Sequence, residues 1–221
     1  GASSCRGLRR AGCPTPRSRR GRARRRCENA GGGNPLGASL DTKSTDLIFT
    51  DVASRRIVRI SVDTGAASLV AGSTVGAASG FVDGTGAGQM LNSPRGVAVL
   101  ALGGIFFSIF FSDTENHALR RADNAGFVTT IAGTGADGSA DSVIGVWAEF
   151  KNPLGVAVDA NDYLFVTDRT NNMLRLVAPD GVTTTLLTGA DLFEPVGVAV
   201  NAAGDVAVGC YTGQYVLMFQ H

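Results

Sequence analysis

A chain of 221 residues with 44% apolar side chains has material for one sizeable core or two small ones, which excludes disorder throughout. Its formal net charge of +1 hides an uneven distribution: ten of the 20 basic residues are arginines within residues 1–27, which carry no acid, leaving 10 basic against 19 acidic side chains in residues 28–221, a net of −9. Thirty glycines, with abundant Val, Thr and Ala, suit many short strands better than long helices, and no apolar run reaches the roughly 20 residues of a membrane-spanning helix.

Residues 1–33 lack apolar periodicity and carry ten mutually repelling arginines, so ordering them has little to offset its entropy. They are expected to contribute nothing to the fold. An Arg-rich, acid-poor segment is read in two ways: as a disordered tail, or as a transit segment that would send the protein to an organelle. Cys5, Cys13 and Cys27 lie here and Cys210 stands alone in the body; their spacings match no common zinc pattern.

From Pro35 onward the chain repeats itself, in units starting near residues 35, 94, 153 and 195. The first is weak, NPLGASLD followed by LIFTDVASRRIVRISVDTGAASLVAG. The second runs PRGVAVLALGGIFFSIFFSDTENHALRRADNAGFVTTIAGTG, the third PLGVAVDANDYLFVTDRTNNMLRLVAPDGVTTTLLTG, and the fourth PVGVAVNAAGDVAVGCYTGQYVLMFQH. In each, a short apolar strand meets an Asn, Asp or Gly turn, a second strand ends in a polar turn, and a third leads through another turn to a fourth. Such turns join strands in antiparallel hairpins, so every unit reads as a four-stranded meander, the fourth stopping at its third strand. Units that cannot bury their own faces stack around an axis as propeller blades.

The PxGVAVD opening, the VTD end of strand two, the phrase Asn116-His117-Ala118-Leu119-Arg120 and the closing TIAG at 130–133 resemble the NHL repeat of β-propellers, over residues 34–221. The Gly- and Asp-rich connectors are similar to those of NHL proteins as well. The resemblance implies an all-β fold, a propeller of NHL type with four-stranded antiparallel blades, and leaves it incomplete, because four units fall short of the six or so blades usual in that family. GVAV is then the innermost strand, where glycine permits close backbone approach, and Leu91, Phe150 and Phe193 are expected to pin the connectors onto the core. Open blade faces and a bare edge are expected to drive self-association.

Candidate chemistry is sparse. Asp51, Asp113 and Asp168 end their second strands at matching places, either as a ring of acids for a cation or as caps of the following turns; one per blade, they favour the caps. His117 has Asn172 at the equivalent place in the next unit, which argues for a solvated turn residue rather than a ligand, and no metal or cofactor is expected. No nucleophile with a plausible base is visible, GTGAG at 84–88 is a connector, and Trp147 reads as a plug in its own connector. Eight scattered arginines on an acidic body exclude specific nucleic-acid binding.

The reading that results is a non-enzymatic scaffold binding a protein or peptide on one face, with a metal-dependent lyase or hydrolase at the channel mouth as the alternative. Blade-edge loops carry function in such a fold, so the contact positions are the x of PxG, at Arg95, Leu154 and Val196, and the turn residues Asn116, His117, Asn171 and Asn172. The second unit also contains IFFS twice, at 105–112, and its spare copy must extend the first hairpin or bulge out.

Overall fold

The computed structural model describes residues 34–40, 46–72, 78–85, 88–102, 106–189, 192–212 and 215–220. The Arg-rich segment 1–33 and its three cysteines lie outside them. Each repeat unit forms one antiparallel sheet with its strands in sequence order. Unit one supplies β1 (Pro35–Leu40), β2 (Leu47–Asp51), β3 (Arg56–Ile60) and β4 (Ala67–Ala71); unit two supplies β5 (Pro94–Leu102), β6 (Phe106–Asp113), β7 (Ala118–Ala122) and β8 (Val128–Ala132). Unit three gives β9 (Pro153–Val158), β10 (Leu164–Asp168), β11 (Met173–Val177) and β12 (Thr183–Thr188), and unit four gives β13 (Pro195–Val200), β14 (Asp205–Cys210) and β15 (Tyr215–Gln220). The expected grammar holds, with the fourth sheet ending at three strands.

The hairpins are built by the turn chemistry that their residues dictate. Asp159 Oδ1 accepts the backbone N–H of Asn161 and Tyr163 at 2.9 and 2.8 Å, and Asn201 Oδ1 those of Ala203 and Asp205 at 2.8 and 2.9 Å. Asp123 holds Ala125 and Phe127 in the same way.

The inner strands β1, β5, β9 and β13 lie side by side around an axis. The PxG phrase is what lets them approach, because a Cβ on Gly37, Gly96 or Gly155 would fall on the carbonyl oxygen of Arg95, Leu154 or Val196 in the next blade. The last residue but one of the second strand then staples that contact. Thr50 Oγ1 accepts Gly37 N–H and donates to Arg95 O, Ser112 Oγ accepts Gly96 N–H and donates to Leu154 O, and Thr167 Oγ1 accepts Gly155 N–H and donates to Val196 O, with donor–acceptor distances of 2.7–3.1 Å. One hydroxyl in each of the first three blades thus satisfies a donor of its own sheet and an acceptor of its neighbour.

Three cores fill the gaps between the four blades, each formed by alternate residues of two sheets. Ile48 and Ile57 of the first blade meet Val97, Ile109 and Phe111 of the second. Phe110 and Ala98 face the other way, onto Val156, Leu164 and Val166 of the third blade, whose Phe165 and Leu174 pack in turn on Val206 and Val208 of the fourth. Leu91 and Phe150 pin their connectors as expected, but in the last connector the buried residue is Leu192, while Phe193 is half exposed, since the connector there is too short to turn its aromatic inward. Trp147 is no plug, being 66% exposed on a single-turn 3-10 helix, Gly145–Trp147, whose glycine is the buried member.

The duplicated IFFS extends the first hairpin rather than bulging. Leu100 pairs with Ser108, Ala101 with Phe107 and Leu102 with Phe106, while the second copy, Ile109–Ser112, fills the core positions of β6. Ile105 lies outside the described residues.

Candidate functional site

The residues that precede the inner-strand glycines gather at one end of the axis. Because each glycine turns toward the neighbouring strand, the x residue of PxG faces the mouth, and Leu36, Arg95, Leu154 and Val196 line one cavity of about 450 Å³. Arg169 and Tyr211, the first residues after strands β10 and β14, complete its wall. Val97, Val156 and Val198 also line a second space of about 230 Å³ along the inner strands, which Ser39 of the first blade borders.

Charge at this mouth is unevenly satisfied. Arg169 Nη2 donates to Glu194 Oε1 at 3.0 Å, and Glu194 Oε2 accepts the Thr212 hydroxyl at 2.6 Å. Arg95 Nη2 stands 4.0 Å from Glu115 Oε1, and Arg95 is about one third exposed. The Nε of Arg95 and that of Arg169 are shielded from solvent and have no hydrogen-bond partner.

The turn positions have a different role, and they do not join the mouth. Asn116 Nδ2 donates to Gly80 O at 2.7 Å and Asp113 Oδ2 at 2.8 Å, and Asn171 Nδ2 to Gly138 O at 2.6 Å and Asp168 Oδ2 at 2.8 Å. Both amides are spent pinning a connector to the blade that follows it. His117 and Asn172, both with positive φ, reach the next connector: His117 Nδ1 accepts Asn152 N–H at 3.2 Å, and Asn172 Oδ1 accepts Glu194 N–H at 2.9 Å. They are joints between blades, not solvated turn residues.

The three aspartates are caps, but chiefly of the connector that precedes each blade. Asp51, Asp113 and Asp168 accept N–H bonds from Asn34, Asn92 and Lys151 at 3.0, 2.6 and 2.7 Å; Asp51 also caps its following turn through Ser54 N–H. In blades two and three each carboxylate further meets an arginine of no measurable exposure. Arg120 Nη1 donates to Asp113 Oδ2 at 2.8 Å, and its Nη2 to Val82 O and Asp83 Oδ1, both at 2.9 Å. Arg175 repeats this with Asp168 at 3.0 Å, Ala140 O at 3.0 Å and Asp141 Oδ1 at 2.7 Å. Each guanidinium also lies 4.9 Å from a ring centre, Phe81 or Phe150. Burial pushes the Asp113 carboxyl up to about 6, against the downward pull of Asn116, Arg120 and the Asn92 N–H; burial raises Asp168 as well.

Among the described residues no group of three His, Cys, Asp or Glu side chains could hold a metal ion. Nor is any helix among them long and apolar enough to cross a membrane. Sequence reasoning missed Arg169 and Tyr211 at the mouth, and the buried arginines. The last were legible, since Asp113 and Arg120 stand seven apart, as do Asp168 and Arg175.

No protein-family model matches the chain. It is 31% identical over 149 residues to the chloroplastic protein suppressor of quenching 1 of Arabidopsis thaliana, a match that takes in 65% of this chain and 14% of that protein. Among solved structures, a protein of unknown function from Bacteroides thetaiotaomicron superposes with a TM-score of 0.68 at 17% identity, covering 85% of this chain and 47% of that one. An auxiliary nutrient binding protein of the same organism gives 0.61 at 16% identity, covering 84% and 47%. Virginiamycin B lyase from Staphylococcus aureus gives 0.51 at 15% identity, covering 85% and 55%. The chain thus spans about half the length of these structures and a seventh of the plant protein. These structural likenesses show the propeller fold.

Proposed function

We propose that this is an NHL-type propeller that binds a protein or peptide, without catalysis, at the mouth formed by its PxG residues. The observation that carries the reading is the cavity of about 450 Å³ there, within the size range of ligand sites, walled by side chains from all four inner strands. Leu36, Leu154, Val196 and Tyr211 supply apolar contact, and Arg95 and Arg169 supply donors, the mixture typical of recognition sites. The partner-contact set thereby narrows to Arg95, Leu154 and Val196, joined by Arg169 and Tyr211. Asn116, His117, Asn171 and Asn172 hold blades and connectors together.

A nutrient-binding protein and a lyase among the structural neighbours show that this fold is used for binding and for chemistry alike, so the site has to decide. The lyase or hydrolase alternative would need a donor set or a nucleophile at the mouth, and His117 is already engaged at a blade joint. The test is a peptide array probed with the full chain and with two variants, Val196→Trp, which fills the cavity, and Tyr211→Ala. Peptides that bind the wild type and lose at least tenfold in affinity against both variants support the reading. Peptides indifferent to both, or none retained at all, overturn it.

A further inference from the structure

We infer that the joint between blades two and three is pH-sensitive: its acceptor is the His117 imidazole, which on protonation gives up the Asn152 N–H and turns to Asp137. This rests on the blade joints alone and holds whatever the mouth binds. The joints share a backbone plan, with a positive-φ residue in the turn after the second strand, Arg55, His117 or Asn172, and another just before the next opening proline, Ser93, Asn152 or Glu194. Their chemistry differs. Asn172 Oδ1 accepts the Glu194 N–H at 2.9 Å, and an amide oxygen keeps its lone pairs at every ordinary pH. Arg55 is a donor, its Nε 3.5 Å from Asn92 Oδ1, and stays a cation. Of the three side chains only an imidazole changes charge between about pH 5 and 8. Its Nδ1 accepts the Asn152 N–H at 3.2 Å, which requires the neutral ring with its hydrogen on Nε2.

A proton on Nδ1 sets hydrogen against hydrogen, and the bond to Asn152 is lost. The cation so formed has one anion to turn to. Glu115 on the same turn faces Arg95, Asp113 is spent on Arg120, Asp168 takes the Lys151 N–H at 2.7 Å, and Arg169 of blade three is held by Glu194. That leaves Asp137 of the connector, half exposed and bridged to Lys151 at 2.9 Å. Lys151 holds the Asp137 carboxyl below the usual carboxylate range, and a positive His117 adds to that pull, so the two side chains lie within electrostatic reach. One hydrogen bond is exchanged for one ion pair. The change is therefore local, not a loss of fold. It loosens the entry of β9, since Asn152 precedes Pro153 and Leu154, the latter on the mouth wall. Thr170 Oγ1 on Asn152 Oδ1 and Thr114 Oγ1 on Pro153 O keep the movement small.

The experiment follows the full chain between about pH 8 and about pH 5 by the nitrogen resonances of the imidazole and by amide exchange corrected for its intrinsic pH dependence. At the upper limit Nδ1 should be the unprotonated nitrogen and the Asn152 amide protected. At the lower limit that protection should fall about three- to tenfold, the worth of one hydrogen bond, while the Glu194 amide, bonded to an oxygen that does not titrate, stays as it was. His117→Asn, which also assigns the resonance against the one other histidine, should keep Asn152 protected throughout. Asp137→Asn removes the waiting anion and should move the loss of protection to lower pH. A hydrogen on Nδ1 at the upper limit overturns the inference, as does Asn152 protection that ignores the His117 titration. A midpoint indifferent to Asp137→Asn overturns the exchange of partners. Loss of protection at Glu194 in step with Asn152 would make the effect acid unfolding of the whole ring, and the joint would be no switch.

Discussion

Blades three and four open on nearly the same words, PLGVAV and PVGVAV, yet they are held in place differently. In blade three, Gly155 presses on the Val196 carbonyl, Thr167 staples the two strands, and Asp168, Asn171 and Arg175 clamp the preceding connector. In blade four the staple position is Gly209, the clamp aspartate is Cys210, and Leu217 stands where Arg175 would be. A Cβ on Gly197 would meet nothing within 4 Å. The opening phrase therefore encodes a place in the ring, whereas the clamp exists only where a long connector must be fastened. Residues 133–152 form such a connector before blade three, whereas only a few residues separate Thr188 from Pro195 before blade four. Blade four also exposes Val216 and Met218, at 64% and 75%, on the side where the other blades meet a neighbour.

The largest effect should come from the clamp. Arg175→Met leaves Asp168 buried without its cation and frees the carbonyl of Ala140, so a loss of about 3–5 kcal/mol is expected in urea unfolding of the full chain. Leu217→Met, at the matching place in blade four, should change stability by less than about 1 kcal/mol. A small loss at Arg175 would mean that the buried pair is as weak as a surface one.

Next comes the close approach of inner strands. Gly96→Ala drives a methyl into the Leu154 carbonyl and should cost roughly 2–3 kcal/mol as strands separate, while Gly197→Ala should be within about 0.5 kcal/mol of wild type. Similar values at the two positions, measured by thermal melting, would erase the distinction between an enclosed and an open blade.

Much of this was legible in the sequence, for physical reasons that can be named. The periodicity of two and the Asx and Gly turns specify hairpins locally, so blade boundaries at Pro35, Pro94, Pro153 and Pro195 follow from short-range chemistry. The site was half legible. The x of PxG had to face somewhere common to all blades, and Arg95, Leu154 and Val196 do line one cavity. Arg169 and Tyr211 were not legible, because whether the first residue of a turn points inward depends on the curvature of the ring. The engagement of the Asn and His of the turns was illegible for a related reason: their partners, Gly80, Gly138 and the residues before Pro153 and Pro195, lie 22–36 positions away, and nothing local reveals the bonds they make.

A smaller effect tests the staple itself. Thr167→Val keeps the shape and removes the hydroxyl, leaving Gly155 N–H and Val196 C=O without their partner, which should cost about 1–2 kcal/mol. Amide exchange should accelerate at Gly155 and not at Gly197, the matching glycine of blade four, which faces no hydroxyl in the first place. Uniform acceleration across both would show that the hydroxyl acts on the whole ring.

The smallest change is expected from shortening blade two to the length of blade three. The extra copy of IFFS only lengthens the hairpin between β5 and β6, beyond the core positions that Ile109, Phe110 and Phe111 fill. Deleting residues 105–108 moves the turn by an even number of residues on the second strand, so every remaining side chain keeps its face. Stability should shift by less than about 1 kcal/mol, since no buried contact of the three cores is removed. Solubility should rise, because a strand-prone aromatic segment is gone from the blade end. Sedimentation and urea unfolding of the deletion variant read both quantities together. A variant that unfolds would mean that the extension braces the blade, and one that stays folded but gains nothing in solubility would mean that the open face of blade four, with Val216 and Met218, governs self-association instead.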